Sequence, residues 1–224
     1  MNRILSVFLL SSLLFSCSES GTNRHLPEQG ISKKNESAQL EYAEFHPDTI
    51  PKLGIKGFYT ADAYQLGSLA VLTGYYEYPD GKMVPPNTED NFGMRLLGVD
   101  KQHQIRFQSN GSGDVYLFEP HFYRNPQSEK VYILCQEAFE YYCGASVFLF
   151  ENDKIRSLGI IDLSGKDLET KLTDIVQINE SGGKTIFSFN GDSLTFNPGG
   201  ENEAVIPNRN IRYIYTNQKL HLIR

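Results

Sequence analysis

Three stretches of the sequence carry side chains able to do chemistry, each of a different kind. In Glu119-Pro120-His121 a carboxylate and an imidazole stand close in the chain, a pairing that serves general acid–base catalysis when both face one site. In Ser109-Asn110-Gly111-Ser112-Gly113-Asp114 oxygen ligands are interleaved with glycine, the raw material of a cation-binding loop. In Cys135-Gln136-Glu137-Ala138-Phe139-Glu140-Tyr141-Tyr142-Cys143 a pair of thiols brackets an acidic, aromatic segment.

The first two reduce to simpler readings. The proline between Glu119 and His121 marks an exposed strand end. The 109–114 segment lacks the spaced carboxylates of a calcium loop. It reads as a hairpin turn between strands at Ile105–Gln108 and Val115–Phe118. His25, His46, His103, His121 and His221 are scattered singly. The chain has no G-x-S-x-G, H-E-x-x-H, P-loop, G-x-G-x-x-G or C-x-x-C pattern. The expectation is no catalytic residue, no metal site and no cofactor.

The third stretch carries more. With Cys135 facing Cys143 across a hairpin, alternation places Val131, Ile133, Cys135, Cys143, Ala145, Val147 and Leu149 on one apolar face. This register predicts a Cys135–Cys143 disulfide, set against the alternative of two buried free thiols. A bridge there would pin the loop Gln136–Tyr142 at its ends and preorganise it for binding. Glu137, Phe139, Glu140, Tyr141 and Tyr142 combine aromatic anchors with negative charge, the mix that interface hot spots contain. They are the candidate partner-binding residues. The competing reading has Phe139 and one tyrosine folding back to cap the end of the fold.

These residues need a scaffold, and the rest of the chain reads as strands. Short runs rich in Val, Ile, Phe and Tyr stand at Leu69–Tyr78, Met94–Val99, Lys154–Asp162, Asp174–Asn179, Thr185–Phe189, Ser193–Phe196, Ile211–Thr216 and Lys219–Ile223. Turn signals separate them, among them Pro79-Asp80-Gly81, Ser181-Gly182-Gly183 and Asn190-Gly191-Asp192. A turn at Asn217-Gln218 pairs Tyr215 with Leu220 and Tyr213 with Leu222. Only Lys166–Val176 carries a helical hint, through Leu168, Leu172, Ile175 and Val176. The pattern predicts an all-β fold, an antiparallel β-sandwich or barrel-like single domain over residues 40–224. A fragment of a propeller is the runner-up, without a fixed repeat to support it.

The N-terminus bears on location. Met1-Asn2-Arg3 precedes an apolar run from Ile4 to Phe15, the pattern of a secretory signal peptide and too short for a permanent span. The run ends in Leu14-Phe15-Ser16-Cys17, which resembles the lipobox of bacterial lipoproteins. The resemblance implies cleavage after Ser16, leaving residues 1–16 as signal peptide. It also implies diacylglycerol on the Cys17 sulfur and an acylated amine. Multiple acyl chains give stable attachment to a lipid bilayer without crossing it. The competing readings are an ordinary signal peptide cleaved elsewhere and an uncleaved anchor. Residues 17–39 hold almost no large apolar side chains and read as a flexible tether. Glu19 between serines is similar to export signals of Bacteroidota surface lipoproteins. The expected location is the outer membrane, facing periplasm or cell surface.

Composition limits the partners. The formal net charge is −6, with no Lys/Arg-rich run, which argues against nucleic acid and suits a basic protein partner. With 13 tyrosines and no tryptophan, a sugar-stacking platform is disfavoured. The expected function is a membrane-anchored, non-catalytic envelope lipoprotein acting as a binding or assembly module. The alternatives are an inhibitor or immunity protein that blocks a cationic enzyme such as a lysozyme or delivered toxin, and a hydrolase whose site is assembled from distant residues.

Overall fold

In the computed structural model, residues 39–51, 53–77 and 92–224 are described. The expected signal peptide, Cys17, the expected tether up to residue 38 and the Pro79-Asp80-Gly81 turn lie outside the described residues. The strands are β1 (Leu40–Phe45), β2 (Phe58–Leu66), β3 (Leu69–Tyr76), β4 (Arg95–Val99), β5 (Ile105–Gln108), β6 (Leu117–Arg124), β7 (Val131–Ala138), β8 (Tyr142–Glu151) and β9 (Lys154–Ile161). They continue with β10 (Leu163–Gly165), β11 (Val176–Ser181), β12 (Lys184–Phe189), β13 (Ser193–Phe196), β14 (Ala204–Pro207), β15 (Arg212–Thr216) and β16 (Lys219–Ile223). The helical hint amounts to one turn, α1 (Leu172–Ile175). It ends where β-branched Ile175 and Val176 pass into β11, residues that suit a pleated strand better than a helix.

The fold is all-β and antiparallel. Nine strands form one sheet in the order β16-β15-β12-β11-β1-β6-β7-β8-β9. The sheet curls until its two ends touch without a hydrogen-bonded ladder: Gly159 of β9 faces the Leu220 side chain of β16, and the Arg156 guanidinium lies 6.0 Å from the Tyr215 ring centre. The result is a nearly closed barrel. Its interior is filled by Tyr42, Tyr132, Leu134, Val147, Ile178 and Phe187 with their neighbours. Tyr132 stands at the centre, edge-on to Tyr42 at 4.8 Å and to Phe187 at 5.7 Å between ring centres. Its hydroxyl shares a hydrogen bond with Thr185 Oγ1 at 2.6 Å. A buried phenol needs such a partner.

A second sheet, β2-β3-β4-β5, packs on the outside of β6, β7 and β8, where Val71, Leu96 and Leu69 meet Ile133, Phe148 and Phe122. A third, β10-β13-β14, adds Leu163 and Leu194 to the barrel core. Every residue of β7 is therefore buried, one face in the barrel and the other under the second sheet.

The C-terminal hairpin has the expected register, with Tyr215 opposite Leu220 and Tyr213 opposite Leu222. Asn217 and Gln218 both take positive φ, as a two-residue turn matched to strand twist requires. The 109–114 segment is not a hairpin turn. β5 pairs with β4, while β6 pairs with β1 and β7, so the segment crosses from the second sheet to the barrel. It is fastened by Ser112 N–H to Met94 O at 2.8 Å and Gly113 N–H to Phe92 O at 3.0 Å.

Candidate functional site

The β7–β8 hairpin holds the sequence-derived candidates, in a different register from the expected one. Cys135 stands opposite Ser146, Glu137 opposite Gly144 and Ala138 opposite Tyr142. Cys143 is taken up by a bulge between the last two pairs. Cys135 and Cys143 are free thiols, so the expected bridge is corrected. The physical reason is that both alternating sets of β7 are buried. Val131, Ile133 and Cys135 face Phe148 and Phe150 on the outside of the barrel; Tyr132 and Leu134 face Ala145, Val147 and Leu149 within it. Alternation tells two registers apart only when one face is wet. Burial raises the pKa of both thiols, that of Cys143 to about 12.

The expected loop Gln136–Tyr142 is shorter in the fold. Gln136 and Glu137 are buried strand residues, and Tyr142 begins β8. The turn itself is 139–141, closed by Phe139 N–H to Tyr141 O at 3.0 Å. Phe139 (41% accessible) and Glu140 are exposed. Tyr141 is half-buried, its hydroxyl lodged against Gly199, where a Cβ would overlap it. Tyr142 is also half-buried, its N–H donating to Leu168 O at 3.1 Å. A surface pocket of about 480 Å³ opens beside the turn, with Leu117, Glu140, Leu168 and Glu169 in its wall. Tyr116, 81% accessible, donates its N–H to Ala138 O at 2.8 Å. The Phe139–Tyr142 tip thus brings together four of the five candidates; Glu137 is elsewhere.

Glu137 belongs to a second cavity, unforeseen from the sequence. A cleft of about 530 Å³ runs between the 109–112 segment and the outer face of β8 and β9. Phe107, Phe148, Ser157 and Ile160 line it, together with Ser112, Ser146 and Glu137. Glu137 is only 9% accessible. Its Oε1 accepts a hydrogen bond from Ser146 Oγ at 2.5 Å and another from Ser112 Oγ at 3.2 Å. Burial raises the carboxyl's pKa, the serine hydrogen bonds oppose the rise, and Asp162 adds to it. Gly144, opposite Glu137, takes φ +107° and abuts the Ile161 carbonyl so closely that no Cβ fits.

Glu119 and His121 do not end a strand; they sit within β6. His121 Nδ1 lies 2.7 Å from Glu44 Oε1, and Lys171 Nζ donates to Glu119 Oε2 at 2.6 Å. Lys171 holds the Glu119 carboxyl below its ordinary range. This network ties β1 and β6 to the segment before α1. Among the described residues no group of three or more His, Cys, Asp or Glu side chains is placed to hold a metal ion. No described helix is long and apolar enough to cross a membrane.

Ser112 and Glu137 were separately visible in the sequence, one in the glycine-rich segment and one in the aromatic loop. Nothing local signals their contact, because it depends on the 109–114 segment crossing between sheets. Comparison with protein-family models, with curated proteins and with solved structures finds no match.

Proposed function

We propose that this chain is a non-catalytic binding module, an envelope lipoprotein tethered to the outer membrane through acylated Cys17, and that the Phe139–Tyr142 tip contacts a basic protein partner. The observation that carries this reading is the clustering at one tip of exposed Phe139 with Glu140 and Glu169 around a pocket. Exposed aromatics at a tight turn give contact area at low entropic cost. Adjacent carboxylates steer a cationic partner and raise its association rate. Tyr141 and Tyr142 brace the turn from beneath. The narrower form of the reading, an inhibitor or immunity protein against a cationic enzyme, draws on the same acidic rim.

The test is affinity capture from envelope extracts with the full chain, compared with Phe139→Ser/Glu140→Lys. A basic protein retained by the wild type and lost from the variant supports the proposal. Equal recovery by a variant with an unchanged melting profile overturns the tip as the contact surface.

A further inference from the structure

We infer that the cleft over Glu137 binds a protonated nitrogen, an ammonium or guanidinium group carried on an apolar stem. This site is separate from the tip and does not rest on the partner reading above.

The Glu137 carboxylate is costly where it stands. Glu137 is 9% accessible, and its side-chain partners are the hydroxyls of Ser112 and Ser146. Hydroxyls orient and partly solvate a carboxylate without neutralising it. Among the described residues no Lys, Arg or His forms an ion pair with Glu137, whereas Asp100, Glu119, Glu151 and Glu180 each pair with a Lys or Arg. Arg95 approaches Gly111 of the cleft wall but makes no ion pair with Glu137; its guanidinium lies 5.0 Å from the Tyr76 ring centre. Asp162, the other charged group felt by Glu137, is negative and makes a second anion less welcome. A buried charge ordinarily comes with its counter-charge. Here the carboxyl instead opens onto a cavity of about 530 Å³.

The walls select the kind of cation. Phe107 and Phe148 meet edge-to-face at 5.9 Å and line the cleft. Ile160, 58% accessible, stands at its mouth. Phe107 and Ile160 offer apolar surface to a methylene stem, while the serines, Gln108 and Asn110 around Glu137 offer oxygens to the charged nitrogen at its end. A metal ion would find no group of three or more His, Cys, Asp or Glu ligands here among the described residues. An anion would meet a carboxylate. The Ser157 hydroxyl, also in the wall, can accept a further N–H.

The experiment uses the purified full-length chain in detergent and matched probes: Nα-acetyl-lysine methylamide, its neutral isostere Nα-acetyl-norleucine methylamide, and agmatine. Binding is read by NMR of side-chain-carboxyl-labelled glutamate. Expected is saturable binding of the lysine probe and agmatine, with none of the norleucine probe, and a fall in the Glu137 pKa on binding. Glu137→Gln keeps the shape and the serine donors; it should weaken the lysine probe about 10- to 100-fold, the loss expected for one charge-assisted hydrogen bond. Phe139→Ser should leave this binding unchanged, which separates the cleft from the tip. Tighter binding of the lysine probe than of agmatine assigns the cation to a partner's side chain, and the reverse to a free small amine; either supports the site. Absence of binding, equal binding of the norleucine probe, or full affinity in Glu137→Gln overturns it.

Discussion

The Ser146 hydroxyl of β8 donates to the Glu137 carboxyl of β7 at 2.5 Å, across a hairpin whose outer face is otherwise apolar. The contact is favourable, yet burial outweighs it and the carboxyl ionises above its ordinary value of 4.5. Below that value the folded and unfolded chains both carry the proton. Above it the unfolded chain loses the proton first. Stability therefore falls as pH rises, until the folded carboxyl has also ionised. In Glu137→Gln that slope disappears. Urea midpoints of variant and wild type should draw apart as pH rises from about 4.5, the variant being the more stable at neutral pH. Parallel curves from about pH 4, where an ordinary glutamate titrates, up to neutrality would contradict this.

Cys135 and Cys143 should both remain thiols at neutral pH, because burial raises the pKa of each, with Cys143 at about 12. The thiolate is the reactive form. Iodoacetamide should label neither appreciably in the folded protein, and both once the unreduced chain is unfolded in urea. A linked Cys135–Cys143 peptide in a non-reducing digest would show the register to be wrong.

Gly199 cradles the Tyr141 hydroxyl and has φ +74°. Gly199→Ala should cost about 1–2 kcal/mol for the left-handed backbone alone. Displacement of the Tyr141 ring adds to this. The added part should vanish when Gly199→Ala is made in a Tyr141→Ala background, so the two substitutions couple in a double-mutant cycle. Simple additivity would mean that the ring is not held by the glycine.

Cys17 is the proposed lipid anchor. Cys17→Ala should abolish incorporation of a fatty-acid probe and leave the precursor uncleaved after Ser16. Equal labelling of the two proteins would remove the anchor from the proposal.

Much of the fold was legible where one face of a strand is wet. β16 shows this: in Lys219–Ile223 exposed and half-buried residues alternate, and the Asn217-Gln218 turn fixes the register. β1 was illegible because only Tyr42 of its residues is fully buried. The second half of β6 was hidden by Pro120, which normally marks a strand end. The fold tolerates it because β1 pairs with β6 only from Phe122 to Arg124, so Pro120 lies beyond the end of β1 and its missing N–H breaks no ladder bond on that side. At the candidate sites, residue types were readable but placement was not. Phe139, Glu140, Tyr141 and Tyr142 do gather at one turn. Glu137, two positions earlier than Phe139, points into another cavity, because a doubly buried strand offers no polar face from which to count.

β1 has a mechanical role beyond completing the sheet. Leu40–Tyr42 is laddered to β11 and Ala43–Phe45 to β6, so this one short strand splices the β6–β9 meander to the β11–β16 half of the barrel. It is also the first described strand of the chain. Tension arriving from the N-terminal side is borne by the splice before any other described element. The Leu40–Tyr42 pairs take the load first, and their rupture would part the barrel into its two meanders while each kept its own hairpins. For a chain pulled from its N-terminal side, the first described joint to be loaded is the Leu40–Tyr42 ladder.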